Sequence, residues 1–254
     1  MRPRSLAVLV PAHNEQELLP ASLAAIRAAA RHPALRQVRV VTVVAADACS
    51  DGTVAAALSA GVQVVRTGDR NVGLARAAAA HRALETLGGP EGLWLASTDA
   101  DSVVPPDWLA FQHARAGEGW DAVVGTVAVA HGPHTPPGLA ARHQLRYGAS
   151  RPQRGAWHHP HVHGANLGVA AHAYLTVGGF PPVPLSEDHG LVAALVGRGH
   201  RVLRTADCPV TTSGRLRPRA RGGFGDHLAA LASREKLPRD GLSREGLSRE
   251  GLPR

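Results

Sequence analysis

Residues 93–102 read Leu-Trp-Leu-Ala-Ser-Thr-Asp-Ala-Asp-Ser, an apolar run that ends in two aspartates one residue apart. Gly92 before it and Pro105-Pro106 after it bound the run, so it reads as a strand buried on both faces. Such strands belong to parallel sheets covered by helices on each side, and ligands bind at their carboxyl ends. Asp99 and Asp101 therefore fall where an α/β sheet carries its chemistry. In an extended segment the side chains at i and i+2 point the same way, so the two carboxylates repel unless a cation lies between them. Oxygen-only ligands suit a hard ion, Mn²⁺ or Mg²⁺, shared with substrate phosphates. The competing reading is a solvated turn in which Asp99 or Asp101 caps the next helix.

With 254 residues, 44% hydrophobic and 19% charged, the chain is long enough for one α/β domain with a substantial core. No apolar run approaches the roughly 20 residues of a membrane span, and Met1-Arg2-Pro3-Arg4 leads straight into a strand without a signal-peptide region. Cys49 and Cys208 are too few for a disulfide framework and lack metal-site spacing. The expectation is a reduced, cytoplasmic protein, membrane-peripheral at most. The formal charge is +8 and nearly all the positive charge is arginine, whose planar fork suits phosphate oxygens. Nucleotide phosphates, acidic headgroups and nucleic acid all fit that charge, as does a composition biased towards Ala, Gly, Pro and Arg. Aromatic residues make up 4%, too few for binding single strands by base stacking. Helix-turn-helix, zinc and aromatic RNA-binding signatures are missing too, so no nucleic acid partner is expected.

The spacing predicts strands over 5–10, 38–45, 62–65 and the 93–102 region, with helices over 17–30, from the 49–53 turn through 60, and over 74–87. Asp51 or Thr53 is the expected N-cap of the second helix, and Gly88-Gly89-Pro90 stops the third. This is a β-α alternation that implies a parallel sheet with right-handed crossovers. Four strand ends then lie together, at 11–15, 47–51, 66–71 and 99–101. The first strand is followed by neither a Gly-x-Gly-x-x-Gly fingerprint nor a Gly-x-x-x-x-Gly-Lys loop, which argues against dinucleotide-binding and P-loop domains. Further on, the pattern predicts helices over 106–116, 139–147 and 191–196, strands over 122–129 and 161–169, and short extended pieces at 202–203 and 210–212. Ser186 is the expected N-cap of the 191–196 helix, with Glu187 and Asp188 in its first turn. Residues 212–224 form a basic, Gly-rich loop. The low-complexity stretch 233–254, with Gly-Leu-Ser-Arg-Glu at 241–245 and again at 246–250, is expected to be a disordered tail.

Pro11-Ala12-His13-Asn14-Glu15 resembles the opening motif of family 2 glycosyltransferases. Ala46-Asp47-Ala48-Cys49-Ser50-Asp51-Gly52-Thr53 is similar to their second-strand motif. Asn71-Val72-Gly73-Leu74-Ala75-Arg76 resembles their Gly-x-x-x-Ala-Arg helix entry with the glycine shifted. Thr98-Asp99-Ala100-Asp101 matches their D-x-D. Gly164-Ala165-Asn166 with Gly178-Gly179-Phe180, and Glu187-Asp188 followed by Leu191, resemble their acceptor-side motifs. The likeness runs in order from about residue 6 to 200.

The resemblance implies a GT-A fold: a mostly parallel, Rossmann-like central sheet flanked by helices, with a smaller acceptor-side half. One domain over 1–232 would divide into a nucleotide-sugar half, about 1–104, and an acceptor half, about 105–232. It implies transfer of one sugar from a UDP- or GDP-sugar to an acceptor hydroxyl, with inversion. Pro11, His13, Glu15, Asp47, Arg76, Asp99 and Ala100 would line the donor site. Asp101, with Asp99, would hold Mn²⁺ or Mg²⁺. Gly164, Asn166 and Glu187 would shape the acceptor site, and Asp188, beside Glu187, would be the general base. His161 or His163 would place an imidazole on the metal, or else both are hydrogen-bonded loop histidines. For Glu15 and Asp51 the alternative is capping, and for Arg76 a solvated helix face. The basic loop would close over the diphosphate, or touch an anionic membrane or a phosphorylated acceptor. The Gln-x-x-Arg-Trp motif and membrane helices of processive synthases are missing, so single transfer is expected. The other readings are a non-catalytic nucleotide-sugar sensor, a nucleotidyltransferase and a basic nucleic-acid-binding protein.

Overall fold

The protein is described from a computed structural model covering residues 2–131, 135–216 and 223–233. The expected alternation is present. Strand β1 (Ser5–Ala12) is followed by α1 (Leu19–Ala30), β2 (Arg39–Asp47), α2 (Thr53–Ser59), β3 (Gln63–Thr67), α3 (Val72–Leu87) and β4 (Leu93–Ser97). β1 lies between β2 and β4 and is parallel to both, and β3 runs parallel on the far side of β2. All five residues of β4 are buried, as a continuous apolar strand in a two-faced parallel sheet requires. α3 starts at Asn71, whose side chain accepts from Leu74 N at 3.1 Å, and ends at Gly88 in the left-handed conformation, φ 81°. That is the predicted stop.

The second half departs from the expected pattern in two places. Residues 122–129 form two strands, β6 (Ala122–Val124) and β7 (Val127–Val129), in different sheets. The chain changes sheets at Gly125, where a Cβ would fall 2.2 Å from the Asn166 amide nitrogen. The predicted strand over 161–169 is shorter, because Gly164–Asn166 make one turn of 3₁₀ helix before β8 (Leu167–Ala170). β8 runs antiparallel to both β4 and β6, so the segment entering it, 161–166, arrives at the carboxyl end of β4. With β9 (Val202–Arg204) beside β6, the main sheet has the order β3-β2-β1-β4-β8-β6-β9. A smaller sheet pairs β5 (Ser102–Val103) with β10 (Val210–Thr212), antiparallel, and β10 with β7, parallel.

The remaining helices are α4 (Trp108–Gly117), α5 (Leu139–Tyr147), α6 (Ala171–Thr176), α7 (Glu187–Gly197) and α8 (Phe224–Ser233). The periodicity did not predict α8, which packs Leu228 and Leu231 against Leu139 of α5 and Val129. The apolar core fills both faces of the main sheet around β1, β4, α1, α3 and α4. No helix among the described residues is long and apolar enough to cross a membrane. Residues 217–222 of the basic loop and 234–254 of the low-complexity stretch lie outside the described residues.

Candidate functional site

The carboxyl ends of β1 to β4 meet the entry to β8 and the start of α7, and the charged motif residues gather there. The backbone is unusual at the same place. Among the described residues, four that are not glycine have positive φ: Asn14 (53°) after β1, Ala48 (48°) after β2, Arg70 (49°) after β3, and Ser186 (62°) before α7. Such conformations cost energy and collect where a site dictates the backbone path.

Arg76 is at the centre. It is 3% exposed on α3. Its Nε donates to Glu187 Oε1 at 2.9 Å, Nη2 to Asp99 Oδ1 at 2.5 Å, and Nη1 to Gly164 O at 3.2 Å and to Ser97 Oγ. Gly164 is required here, since a Cβ would sit 2.3 Å from Arg76 Nη2. Burial works against the guanidinium charge, but Asp99, Glu187 and Asp188 outweigh it and hold its pKa above the ordinary value. The alternative of a solvated helix face does not hold for Arg76: it is buried, and its fork ties the aspartate turn to the Glu187-Asp188 pair.

The aspartates sit in a turn rather than an extended strand, with Ser102 N donating to Asp99 O at 3.1 Å. The extended i, i+2 geometry is thus corrected, and each carboxylate has its own arginine. Asp99 pairs with Arg76, and Asp101 Oδ2 lies 3.0 Å from Arg215 Nη2. Burial, then the charge of Asp99, pushes the Asp101 carboxyl up to about 7; Arg215 opposes that rise and Glu15 adds to it. Ala100, between them, is buried. Glu15 is also buried, and its carboxylate takes the Arg215 fork on both oxygens, Nη1 to Oε2 at 2.8 Å.

Asp47 was expected to read the nucleotide. Its carboxylate accepts from Thr67 Oγ1, Asp69 N, Arg70 N and Asn71 N at 2.7–3.1 Å, and so folds the loop between β3 and α3. His13 donates from Nδ1 to Asp47 O at 2.7 Å, one strand end away from half-buried Pro11. The N-cap of α2 is Gly52, not Asp51 or Thr53. Asp51 acts one residue earlier, accepting from Thr53 N at 3.0 Å and Gln16 N at 3.2 Å. At α7 the N-cap position is Ser186 as expected, but without a side-chain cap bond, and the helix begins at Glu187.

On the acceptor side, Asp188 Oδ2 accepts from Gly164 N at 2.7 Å and Oδ1 from His189 N at 2.8 Å. Burial raises the pKa of Glu187, with Arg76 opposing and Asp188 reinforcing the shift. Asn166 is hydrogen-bonded within the protein. It is 2% exposed, donates to Thr126 O at 2.9 Å and Cys208 O at 2.8 Å, and accepts from Trp108 Nε1 at 2.9 Å. His163 lies in a ring cluster with Tyr147, His161 and Phe224, and burial, then the neighbouring His161, lowers its pKa to about 3. Among the described residues no three His, Cys, Asp or Glu side chains come together as a metal-holding group. The expected set of Asp99, Asp101 and His163 is therefore not formed. Sequence reasoning singled out neither Arg215 nor Ser97 for these contacts; an arginine just past a short extended piece was the available signal.

The sequence model for glycosyl transferase family 2 matches residues 7–175. No curated protein sequence matches the chain. The solved structures it resembles include the mannosyltransferase PcManGT of Pyrobaculum calidifontis, in complex with GDP-Man and Mn²⁺. That match has a TM-score of 0.59 and 23% identity, and covers 83% of this chain and 57% of that one. S. aureus TarS 1–349 in complex with UDP gives 0.56 and 15%, covering 82% and 60%. Mycobacterium tuberculosis glucosyl-3-phosphoglycerate synthase, with Mn²⁺, UDP and phosphoglyceric acid, gives 0.53 and 22%, covering 94% and 81%. These likenesses carry the GT-A fold. The chain spans about three-fifths of the first two structures.

Proposed function

The chain belongs to glycosyl transferase family 2, and on that footing we propose that it moves one sugar from a nucleoside diphosphate sugar to an acceptor hydroxyl, with inversion. The observation that supports this best is the Arg76 bridge. One buried guanidinium fixes Asp99, at the carboxyl end of β4, and Glu187, next to Asp188, in a single unit. Donor-side and acceptor-side carboxylates thereby keep a constant relation, which a displacement reaction needs.

Asp188 is the base in this reading. Gly164 N and His189 N hold its two oxygens and leave lone pairs for an incoming hydroxyl. As that oxygen attacks the anomeric carbon, Asp188 takes its proton, and the sugar's bond to the diphosphate breaks on the opposite face. Glu187, engaged by Arg76, is a positioning residue. The complexed donors of the structural neighbours, GDP-Man and UDP, make a UDP- or GDP-sugar the donor class proposed.

The aspartate turn fits a divalent cation. Its donors are oxygen, and Asp99 and Glu15 crowd Asp101 closely enough that, with burial, they raise its pKa, a crowding of carboxylates that a cation relieves. Asp101, with Asp99 acting through water, would hold Mn²⁺ or Mg²⁺, with the remaining positions taken by diphosphate and water. When bound, that ion offsets the negative charge growing on the leaving diphosphate. The Mn²⁺ in two of the neighbouring structures supports the reading.

The test is Asp188→Asn. Transfer should fall by about 10²–10⁴-fold while the donor's Kd changes little. Near-normal turnover in the variant removes Asp188 as the base.

A further inference from the structure

Arg215 lies beyond the matched residues 7–175, yet its guanidinium reaches the aspartate turn. It forks onto Glu15 with Nη1 at 2.8 Å from Oε2, and Nη2 lies 3.0 Å from Asp101 Oδ2. The placement is built, not accidental. β10 pairs Thr212 with Ser102, the residue after Asp101. Ser102 Oγ donates to Thr212 Oγ1 at 2.9 Å, and Thr212 Oγ1 to Asp101 Oδ1 at 3.5 Å. Two residues on, Gly214 threads a gap where a Cβ would fall 2.1 Å from Thr135 Oγ1. Arg215 N then donates to Ser213 Oγ at 3.3 Å. The side chain is 22% exposed, against 6% for Glu15 and 16% for Asp101.

We propose that Arg215 holds the cation seat of the donor-free protein and exchanges with the divalent ion, its fork passing to the diphosphate as the donor arrives. This rests on the reading of Asp101 as a metal ligand. The charges decide why exchange, rather than simple addition, is expected. A metal arriving alone must displace the guanidinium from Asp101 and leave it with Glu15 as its ion-pair partner. A metal arriving with a diphosphate brings the displaced fork a new bidentate acceptor, the geometry arginine prefers. Metal and nucleotide then bind with positive coupling, because each is worth more when the other is present. Arg215 is the element that couples them.

The experiment is Mn²⁺ binding followed by electron paramagnetic resonance of the free ion, with and without UDP or GDP. It compares wild type, Arg215→Gln, Arg215→Lys, Asp101→Asn and the Asp101→Asn/Arg215→Gln double variant. Arg215→Gln should bind Mn²⁺ alone about fivefold or more tightly than wild type, and should gain less from added nucleotide. Arg215→Lys, a charge without a fork, should fall between them; it carries the comparison if the Gln variant does not fold. The double variant should lose the gain. Arg215 variants with unchanged or weaker Mn²⁺ affinity, alongside a loss in Asp101→Asn, overturn the exchange and leave the metal reading standing. Equal Mn²⁺ affinity in wild type and Asp101→Asn overturns both.

Discussion

Two side chains expected in the ligand sites also hold the protein together. Asn166 joins Trp108, Thr126 and Cys208, and Asp47 folds the loop from 67 to 71. Motif residues of this kind are read from sequence as polar groups in a site, because the sequence does not show that their hydrogen bonds are already used. The distinction is measurable. Asn166→Ala leaves the Trp108 indole N–H and the Cys208 carbonyl buried without partners, each worth about 1–3 kcal/mol, while Thr126 O keeps Val210 N–H, so urea unfolding should show a loss of at least about 2 kcal/mol. A loss below about 1 kcal/mol would mean that Asn166 is not the staple described. Arg76 shows the same pattern more strongly. Its residue type pointed to anionic partners, and within the protein these are Asp99 and Glu187.

Among the elements, the first four strands and three helices were legible because each has a clear period and firm punctuation. Asn71 begins α3 and Gly88 ends it, as the sequence indicates. The 122–129 strand was read as one piece because its apolar run is nearly unbroken; what splits it is the tight approach of Asn166 to Gly125, a long-range contact. α8 was missed because its helical period follows a Gly- and Arg-rich stretch, and its packing partner α5 lies some eighty residues earlier. The shifted glycine of the α3 entry has a physical reason too. A Cβ on Gly73 would lie 2.1 Å from Pro181 O, and Gly73 N donates to Val183 O at 3.2 Å. Two effects oppose each other in Gly73→Ala. Helix propensity favours alanine by roughly 1 kcal/mol, while the backbone clash costs about 1–3 kcal/mol. The clash should win, lowering the denaturation midpoint; a raised midpoint would show that the 181–183 loop yields freely.

For the whole molecule, the parallel sheet and the clustering of strand ends were legible from alternation alone, and family membership from six short motifs in order. The second sheet and the ring cluster joining α5, α8 and 157–163 were not, since both depend on contacts between distant segments. That cluster has a consequence for pH. Burial, then the charges of His227 and His161, lowers His143 to about 4, and His163 is lowered to about 3. Above the usual histidine value of 6.5 both folded and unfolded forms are neutral. Between that value and about 4 the unfolded chain binds more protons, so stability falls with pH. The thermal midpoint should therefore drop from pH 7 to pH 4.5, and less steeply in His143→Phe, which keeps the ring packing. Parallel slopes in the two proteins would show that His143 does not carry the effect.

The aspartate turn, joined by Arg76 to the Glu187-Asp188 pair, is proposed to bind a nucleoside diphosphate sugar together with a divalent ion. The most direct measurement is the thermal midpoint against a panel of UDP- and GDP-sugars, with and without Mn²⁺, in wild type and Asp101→Ala. A ligand bound to the folded state raises the midpoint by mass action. The expected result is a shift with one donor that needs Mn²⁺ and disappears in Asp101→Ala. A donor shift that survives without the metal and in Asp101→Ala, or no shift with any donor, would contradict it.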